Sequence, residues 1–526
     1  MQPDFLYIPE LAAVIPVVIP VATAILIAIL SEIHLFARKK RAATMPAIIA
    51  ILGFALTFIY VYYLGIAVWT GGLQTFTWPL DASHTEPCSV VMIADQFSVL
   101  LMGIFTVLGF VVSVYSIGYM KNDTGLPRYY MLLLIMVGAM NGVVVSGDLF
   151  TLFLFYETMS ICSFILVAFR RTWEGLEASI KYLMMSAIGS TLVLLSASYL
   201  YGLTGTLNLG VMATAIRAGS GHPLIPILVA LMTAGFGVKG AIVPFAAWLA
   251  DAHPAAPSGI SAMLSGVVIK VGIYGIVRMN AVLFPFEMVN WPLLLAIFAA
   301  VTMTAGNFYA LTQTDLKRML AYSSITQIGF ILFAFAATPY AGTAFGYETG
   351  AFYVVVHAFT KGLLFLCAGA FLHAVGTRDL DALQGIGKKM PLTSAFFAIG
   401  VLSLMGMPPF AGFYAKLLIL AAGVDAGLVI GSPYLLFTLV AVFNALLALG
   451  YYLRMLNVVW LKDPTENVEN AHRSSTSMLC AMALLAIALV VIGVYPAPVY
   501  SIAEAAGSAL FQVEAFITGI TGALSP

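Results

Sequence analysis

The sequence predicts an all-α membrane protein of about 14 transmembrane helices, and two observations carry that prediction. The first is composition. Of 526 residues, 62% are hydrophobic and 9% are charged, with a mean hydropathy of +1.02, whereas soluble domains carry about 45–50% apolar and about 25% charged residues. The second is that the apolar residues fall into runs of about 20, the length at which a helix crosses the hydrocarbon of a bilayer.

Taken in order, these runs place spans at about 11–31, 46–69, 97–117, 129–146, 149–169, 180–203, 224–248, 258–280, 290–312, 318–337, 350–374, 392–420, 432–460 and 477–500. The start of the chain, MQPDFLYIPELAAVIPVVIPVATAILIAILSEIH, lacks a basic segment and is too long in its apolar stretch for a signal peptide, so it reads as the first span. The third to sixth spans are separated only by brief polar punctuation. Four regions follow: residues 1–120 with three helices, 121–285 as a first repeat, 286–460 as a second, and 461–526 with the last span and tail.

Basic residues orient the spans. Sixteen of the 23 Lys and Arg fall on one side, including Arg38 to Arg41, Arg170, Arg171, Lys317, Arg318 and Arg378. Only Arg217 and Arg278 fall on the other. An excess of Lys and Arg marks the cytoplasmic side, which puts both termini outside a cytoplasmic membrane. A formal net charge of zero argues against nucleic acid as a partner. The four cysteines, Cys88, Cys162, Cys367 and Cys480, are far apart, and that spacing excludes the usual zinc or iron–sulfur cluster. Cys88, near His84 and Glu86, is a weak metal candidate. No cofactor motif occurs.

Five lysines remain inside spans: Lys181, Lys239, Lys270, Lys361 and Lys416, together with Glu157 and His357. An ionised group at the centre of a membrane helix costs about 2.5–3.5 kcal/mol, and such residues mark ion pathways by default. Lys239 precedes Pro244 by five residues, and Lys416 follows Pro408 and Pro409. Proline removes a backbone donor and breaks a helix, which a bilayer tolerates only where protein or water satisfies the freed groups. His357 and Lys361 are four apart and share a helix face, and histidine titrates near neutrality. Lys181, close to Glu174 and Glu177, reads instead as snorkelling to the surface. Asp148, Tyr322 and His373 lie near span ends and are weaker candidates. The seventh span reads VPFAAWLA after its lysine and the twelfth PPFAGFYA before its own, five spans apart and so oppositely oriented. That is the signature of an inverted repeat with one broken helix in each half.

Five stretches carry a family resemblance: SGDLFTLFLFYE, VKGAIVPFAAWLADAHPAAPS, TQTDLKRMLAYSSITQIGF, VVVHAFTKGLLFLCAGA and GMPPFAGFYAKLLI. Over residues 90–460 the chain resembles the antiporter-like subunits shared by respiratory complex I, Mrp-type cation/proton antiporters and group 4 membrane-bound hydrogenases. The resemblance implies that Glu157 pairs with Lys239 of the broken seventh helix, that Lys270 bridges, that His357 and Lys361 relay, and that Lys416 of the broken twelfth helix ends the path. It implies a proton-translocating subunit with no cofactor of its own, working with sister antiporter-like subunits and peripheral redox subunits. A sodium/proton antiporter subunit and a non-translocating scaffold are the alternatives, and sodium is the alternative ion. Gln327 stands where complex I subunits often have histidine, which leans towards the Mrp and hydrogenase types and leaves the relay dependent on water or His357. About 26 residues follow the last span, so no long lateral helix is expected.

Overall fold

A computed structural model describes residues 11–32, 44–78, 90–219, 222–429 and 431–522. Cys88, His84 and Glu86, and the basic run Arg38 to Arg41, lie outside the described residues. The chain is helical almost throughout: α1 (Ile15–Glu32), α2 (Met45–Gly71), α3 (Gln96–Tyr119), α4 (Leu126–Val145), α5 (Leu149–Val167), α6 (Trp173–Thr204), α7 (Leu209–Ala218), α8 (Ile225–Lys239), α9 (Ala247–Ala255) and α10 (Ser258–Leu283). There follow α11 (Trp291–Leu311), α12 (Leu316–Ala341), α13 (Phe345–Val375), α14 (Pro391–Met405), α15 (Ala411–Gly427), α16 (Tyr434–Leu461), α17 (Thr476–Val494), α18 (Ala497–Phe511) and α19 (Val513–Gly522). Among the described residues, twelve helices are long and apolar enough to cross a bilayer. The seventh and twelfth expected spans are each divided, as α8 with α9 and α14 with α15.

Local chemistry sets the helix ends. Asp95, Asp148, Thr172 and Asp315 each accept a backbone N–H of the first turn of α3, α5, α6 and α12, the role for which short oxygen-bearing side chains are favoured. Gly205, Gly342 and Gly376 close α6, α12 and α13 in the left-handed conformation that favours glycine.

The helices sort by burial. In the most apolar window of α10 every residue is buried, and in α12 and α13 94% are, against 28% in α1 and 33% in α16. Three central helices are thus enclosed by a ring whose outer faces present leucine, isoleucine and phenylalanine to lipid. The central three carry Lys270, Gln327, His357 and Lys361.

Three features depart from expectation. A two-stranded antiparallel hairpin, β1 (Gln74–Trp78) and β2 (Val90–Ala94), pairs Gln74 with Ala94 through Trp78 with Val90. Its alternating threonines and aromatics suit a strand better than a helix. The hairpin matters to the SGDLF segment, because Val91 N–H donates to the Asp148 carboxylate at 3.1 Å and Gly147 N–H donates to Val91 O at 2.8 Å. Second, the tail is helical: Ser508 of α18 donates to Glu348 of α13 at 3.0 Å, and Phe516 of α19 covers the Arg278 guanidinium at 4.4 Å. Third, Lys317 and Arg278, counted above with the loops, are buried. Arg278 ion-pairs with buried Asp95 at 2.5 Å, and Lys317 donates to Ala256 O at 2.7 Å. A count of basic residues by segment sees neither partner, so it cannot separate a rim charge from one turned inward.

Candidate functional site: a buried chain of lysines

The first helix break stands beside Lys239. Pro244 cannot donate, and it disfavours the helical conformation of Val243. The chain therefore leaves α8 at Lys239 and re-enters a helix at Ala247, with Ala241 at a φ of 54°. Backbone groups at the break are satisfied: Val238 O accepts Trp248 Nε1–H at 2.7 Å and Ala241 N–H at 3.2 Å, and Val243 N–H donates to Thr302 Oγ1 of α11 at 3.1 Å. Gly272 of α10 sits directly on the break; a Cβ there would meet Gly240 N at 2.3 Å. That close approach couples the break to the helix that carries Lys270.

Lys239 itself is buried and donates to Tyr182 Oη at 3.0 Å. The rings of Tyr182, Phe164 and Tyr156 lie 4.5, 5.0 and 5.7 Å from its Nζ. Aromatic faces attract a cation but supply no counter-charge. Tyr182 is held in turn by Trp248, stacked at 3.9 Å and 5°.

The expected Glu157–Lys239 ion pair is absent. Glu157 is half-buried on α5 with Oε1 making no hydrogen bond, although its charge acts on Lys239. The reason is angular. Successive helical residues turn by about 100°, so Tyr156 faces inward over Lys239 while Glu157 leaves α5 in a different direction, with its Oε1 still buried.

The centre is built on α10, α12 and α13. Lys270 Nζ lies 2.5 Å from Ser265 O and 2.6 Å from His357 Nδ1. Ser265 belongs to a π-helical turn, Leu264–Val268, an irregularity frequent at functional sites. One turn beyond His357, Lys361 donates to Ser323 Oγ at 2.8 Å and Leu320 O at 3.0 Å. Ser323 meets Tyr452 Oη at 2.5 Å, Gln327 Nε2 donates to Tyr452 at 3.1 Å, and Tyr353 Oη donates to Gln327 Oε1. Gln327 thus anchors a hydroxyl network that ends on Lys361. His357 Nε2 is buried without a hydrogen bond.

The second break separates α14 from α15 at Pro408 and Pro409. Lys416 reaches back across it and donates to Leu404 O at 2.5 Å, with its Nζ 5.4 Å from the Phe330 ring. Gly412 N–H donates to Ser403 Oγ at 3.1 Å, so this break too is closed by side chains.

Lys239, Lys270, Lys361 and Lys416 are all buried, and none has an ion-pair partner among the described residues. Their charged forms are held by carbonyls, hydroxyls and rings. A proton on Lys270 has an acceptor at hydrogen-bond distance, because an imidazole nitrogen facing an ammonium must offer its lone pair. Transfer from Lys270 to Nδ1 is then a shift along one hydrogen bond.

Of the weaker candidates, Lys181 is exposed and paired with Glu177 at 2.8 Å and Asp251 at 3.3 Å, as snorkelling requires. Asp148 is a helix cap, Tyr322 stacks on Tyr309, and His373 lies tilted against Tyr119 at 5.7 Å and 51°. Sequence reasoning missed Tyr182, Trp248, Ser323, Tyr353 and Tyr452. Tyr353 was findable, since it precedes His357 by four residues on the same helix face. The described residues contain no group of three His, Cys, Asp or Glu that could hold a metal.

Fold and site together define a class: multi-pass helical membrane proteins whose interior carries lysines between two broken helices. Residues 146–433 match the family described as NADH:quinone oxidoreductase/Mrp antiporter, TM, and residues 84–130 match NADH-Ubiquinone oxidoreductase (complex I), chain 5 N-terminus. The chain is 30% identical to F(420)H(2) dehydrogenase subunit N of Methanosarcina mazei over 515 residues, 95% of this chain and 99% of that one. It is 28% identical to a Na(+)/H(+) antiporter subunit of Bacillus subtilis over 508 residues, 96% and 98% of the two chains. A chain of the membrane-bound sulfane sulfur reductase, an archaeal respiratory membrane complex, superposes with a TM-score of 0.82 at 28% identity, over 97% of this chain and 99% of that one. The protein belongs to the antiporter-like membrane subunit family that complex I-type and Mrp-type assemblies share.

Proposed function

We propose that the protein is the proton-translocating subunit of a redox-driven membrane complex. It would move protons through Glu157, Lys239, Lys270, His357, Lys361 and Lys416. The observation that carries this reading is the 2.6 Å contact between Lys270 and His357, with Lys361 one turn away and a helix break at either end of the series. Buried cations without counter-ions are costly in a merely structural protein, and Lys239, Lys270 and Lys361 each touch a tyrosine, histidine or serine able to accept or relay a proton. Glu157 keeps one carboxylate oxygen buried and free of hydrogen bonds, open to a proton or a water. The likeness to the dehydrogenase subunit and the sulfane sulfur reductase chain supports a redox drive. Electron transfer then falls to partner subunits, and sister antiporter-like subunits complete the membrane arm.

A second reading is a sodium/proton antiporter subunit driven by ion gradients, favoured by 28% identity to the Bacillus subtilis antiporter subunit over nearly the whole chain. In both readings residues 121–285 and 286–460 are inverted repeats, fourteen spans cross a cytoplasmic membrane, and the end carrying Arg170, Arg318 and Arg378 is cytoplasmic with both termini outside.

The test is proton flux in vesicles containing the native complex, with and without Lys239→Ala, under a redox substrate or an imposed sodium gradient. A loss of flux of at least tenfold, with the complex still assembled, supports translocation. Unchanged flux would return the subunit to a scaffold. Whichever driving force sustains the wild-type flux separates the two translocating readings.

A further inference from the structure

His253 belongs to none of the steps above, yet it is fully buried and both of its ring nitrogens lack a hydrogen bond. Its plane stacks on Phe365 at 4.3 Å and 13°. Phe365 follows Lys361 by four residues on α13, so the imidazole stands about 6 Å along the helix from the Lys361 level, towards the end of α13 at Val375. Beyond it, Arg378 donates to Pro254 O at 2.7 Å and Lys317 donates to Ala256 O at 2.7 Å. Ser261 Oγ donates to His253 O at 2.9 Å. The carbonyls around the C-terminal end of α9 are thus taken by polar donors, and the imidazole alone is left open.

Outside this layer lies a polar cavity of about 250 Å³, lined by Glu174, Glu177, Asp251, Asp315, Arg318 and Arg378 among others. Inward of the imidazole, Phe365 leads by one turn of α13 to Lys361, and Lys317 of α12 is held on the carbonyl of Ala256, three residues after His253. His253 therefore stands between a charged mouth at the basic end of the molecule and the central lysines. A buried imidazole with two open nitrogens is destabilising, a cost that an apolar side chain stacked on Phe365 would avoid.

We propose that His253 is the proton-transfer group linking the cytoplasmic mouth at Asp251, Asp315 and Arg378 to Lys361 and Lys270. This rests on the translocation reading above. One ring nitrogen takes a proton from water at the mouth, and the other releases one towards the lysines. A ring turn then returns the imidazole to its first tautomer, so one proton has crossed and no net charge stays on it.

The test compares His253→Phe, which keeps the stack on Phe365, with His253→Gln, which keeps polarity without titrating. Both are measured as proton flux in vesicles of the intact complex, beside Lys239→Ala. His253→Ala is assayed with and without added imidazole. The expected result is a loss of flux of at least tenfold in both the Phe and Gln variants, with assembly retained, and recovery of several-fold in the Ala variant on adding imidazole. Wild-type flux in His253→Phe, with flux lost in Lys239→Ala, overturns the proposal while the translocation reading stands. Flux retained in all of them removes both. A loss in the Phe and Gln variants that imidazole fails to relieve in the Ala variant assigns His253 a packing role and also overturns the proposal.

Discussion

Lys270 on α10 and His357 on α13 meet at 2.6 Å, Nζ to Nδ1, in the most enclosed part of the molecule. Neither has a carboxylate to balance it among the described residues, so the contact sets two bases at hydrogen-bond distance with no fixed counter-charge. If the pair acts as a unit, replacing either partner removes the whole step. Lys270→Met and His357→Gln should each lower proton flux at least tenfold, and the double variant should be no worse than the poorer single. A double-variant loss equal to the product of the singles would show that the two act independently.

Tyr182 and Trp248 support Lys239 in separable ways. Tyr182→Phe keeps the ring on Trp248 but removes the hydroxyl that accepts from Lys239 among the described residues. Flux should fall several-fold, and because a buried amine is left without that acceptor, stability should fall by about 1–3 kcal/mol. Trp248→Phe keeps an aromatic ring for the stack and leaves Val238 O with the Ala241 N–H at 3.2 Å, so the loss is that of one net hydrogen bond, about 0.5–1.5 kcal/mol. Thermal unfolding of the detergent-solubilised protein, read beside vesicle flux, should show the larger loss in Tyr182→Phe by both measures.

Asp95 and Arg278 form a buried ion pair that also fixes Phe516 of the tail. Asp95→Asn retains a side chain able to cap α3 but leaves the guanidinium without a counter-charge, and breaking a buried pair in this way costs about 3–5 kcal/mol. Combining it with Arg278→Met should recover most of the loss, because the uncompensated charge is then gone. Denaturation of the four proteins measures this; a double variant no more stable than Asp95→Asn would mean that packing against Phe516 dominates.

How much of this was legible beforehand differs by residue. The spans were, because a hydrocarbon solvent selects apolar runs of fixed length whatever they pack against. So were the two breaks, since Pro244 and the Pro408–Pro409 pair act on their own backbone. The buried lysines stood out because a charge in an apolar run is expensive and cannot be mistaken for filler. Lys317 and Arg278 escaped for the converse reason: each lies near a polar segment, where sequence offers no means of telling an inward side chain from an outward one.

Sequence alone therefore determined membrane residence, the order of the helices, their two interruptions and most of the buried protonatable groups, because each depends on a residue and its near neighbours. Tertiary structure alone decided the partners. It gave Lys239 a tyrosine in place of Glu157, set Lys270 on His357, tied Gln327 through Tyr452 and Ser323 to Lys361, and left His253 open beside Phe365. Those contacts join residues far apart in the chain through the rotation and depth at which helices pack, and neither is written in any one segment.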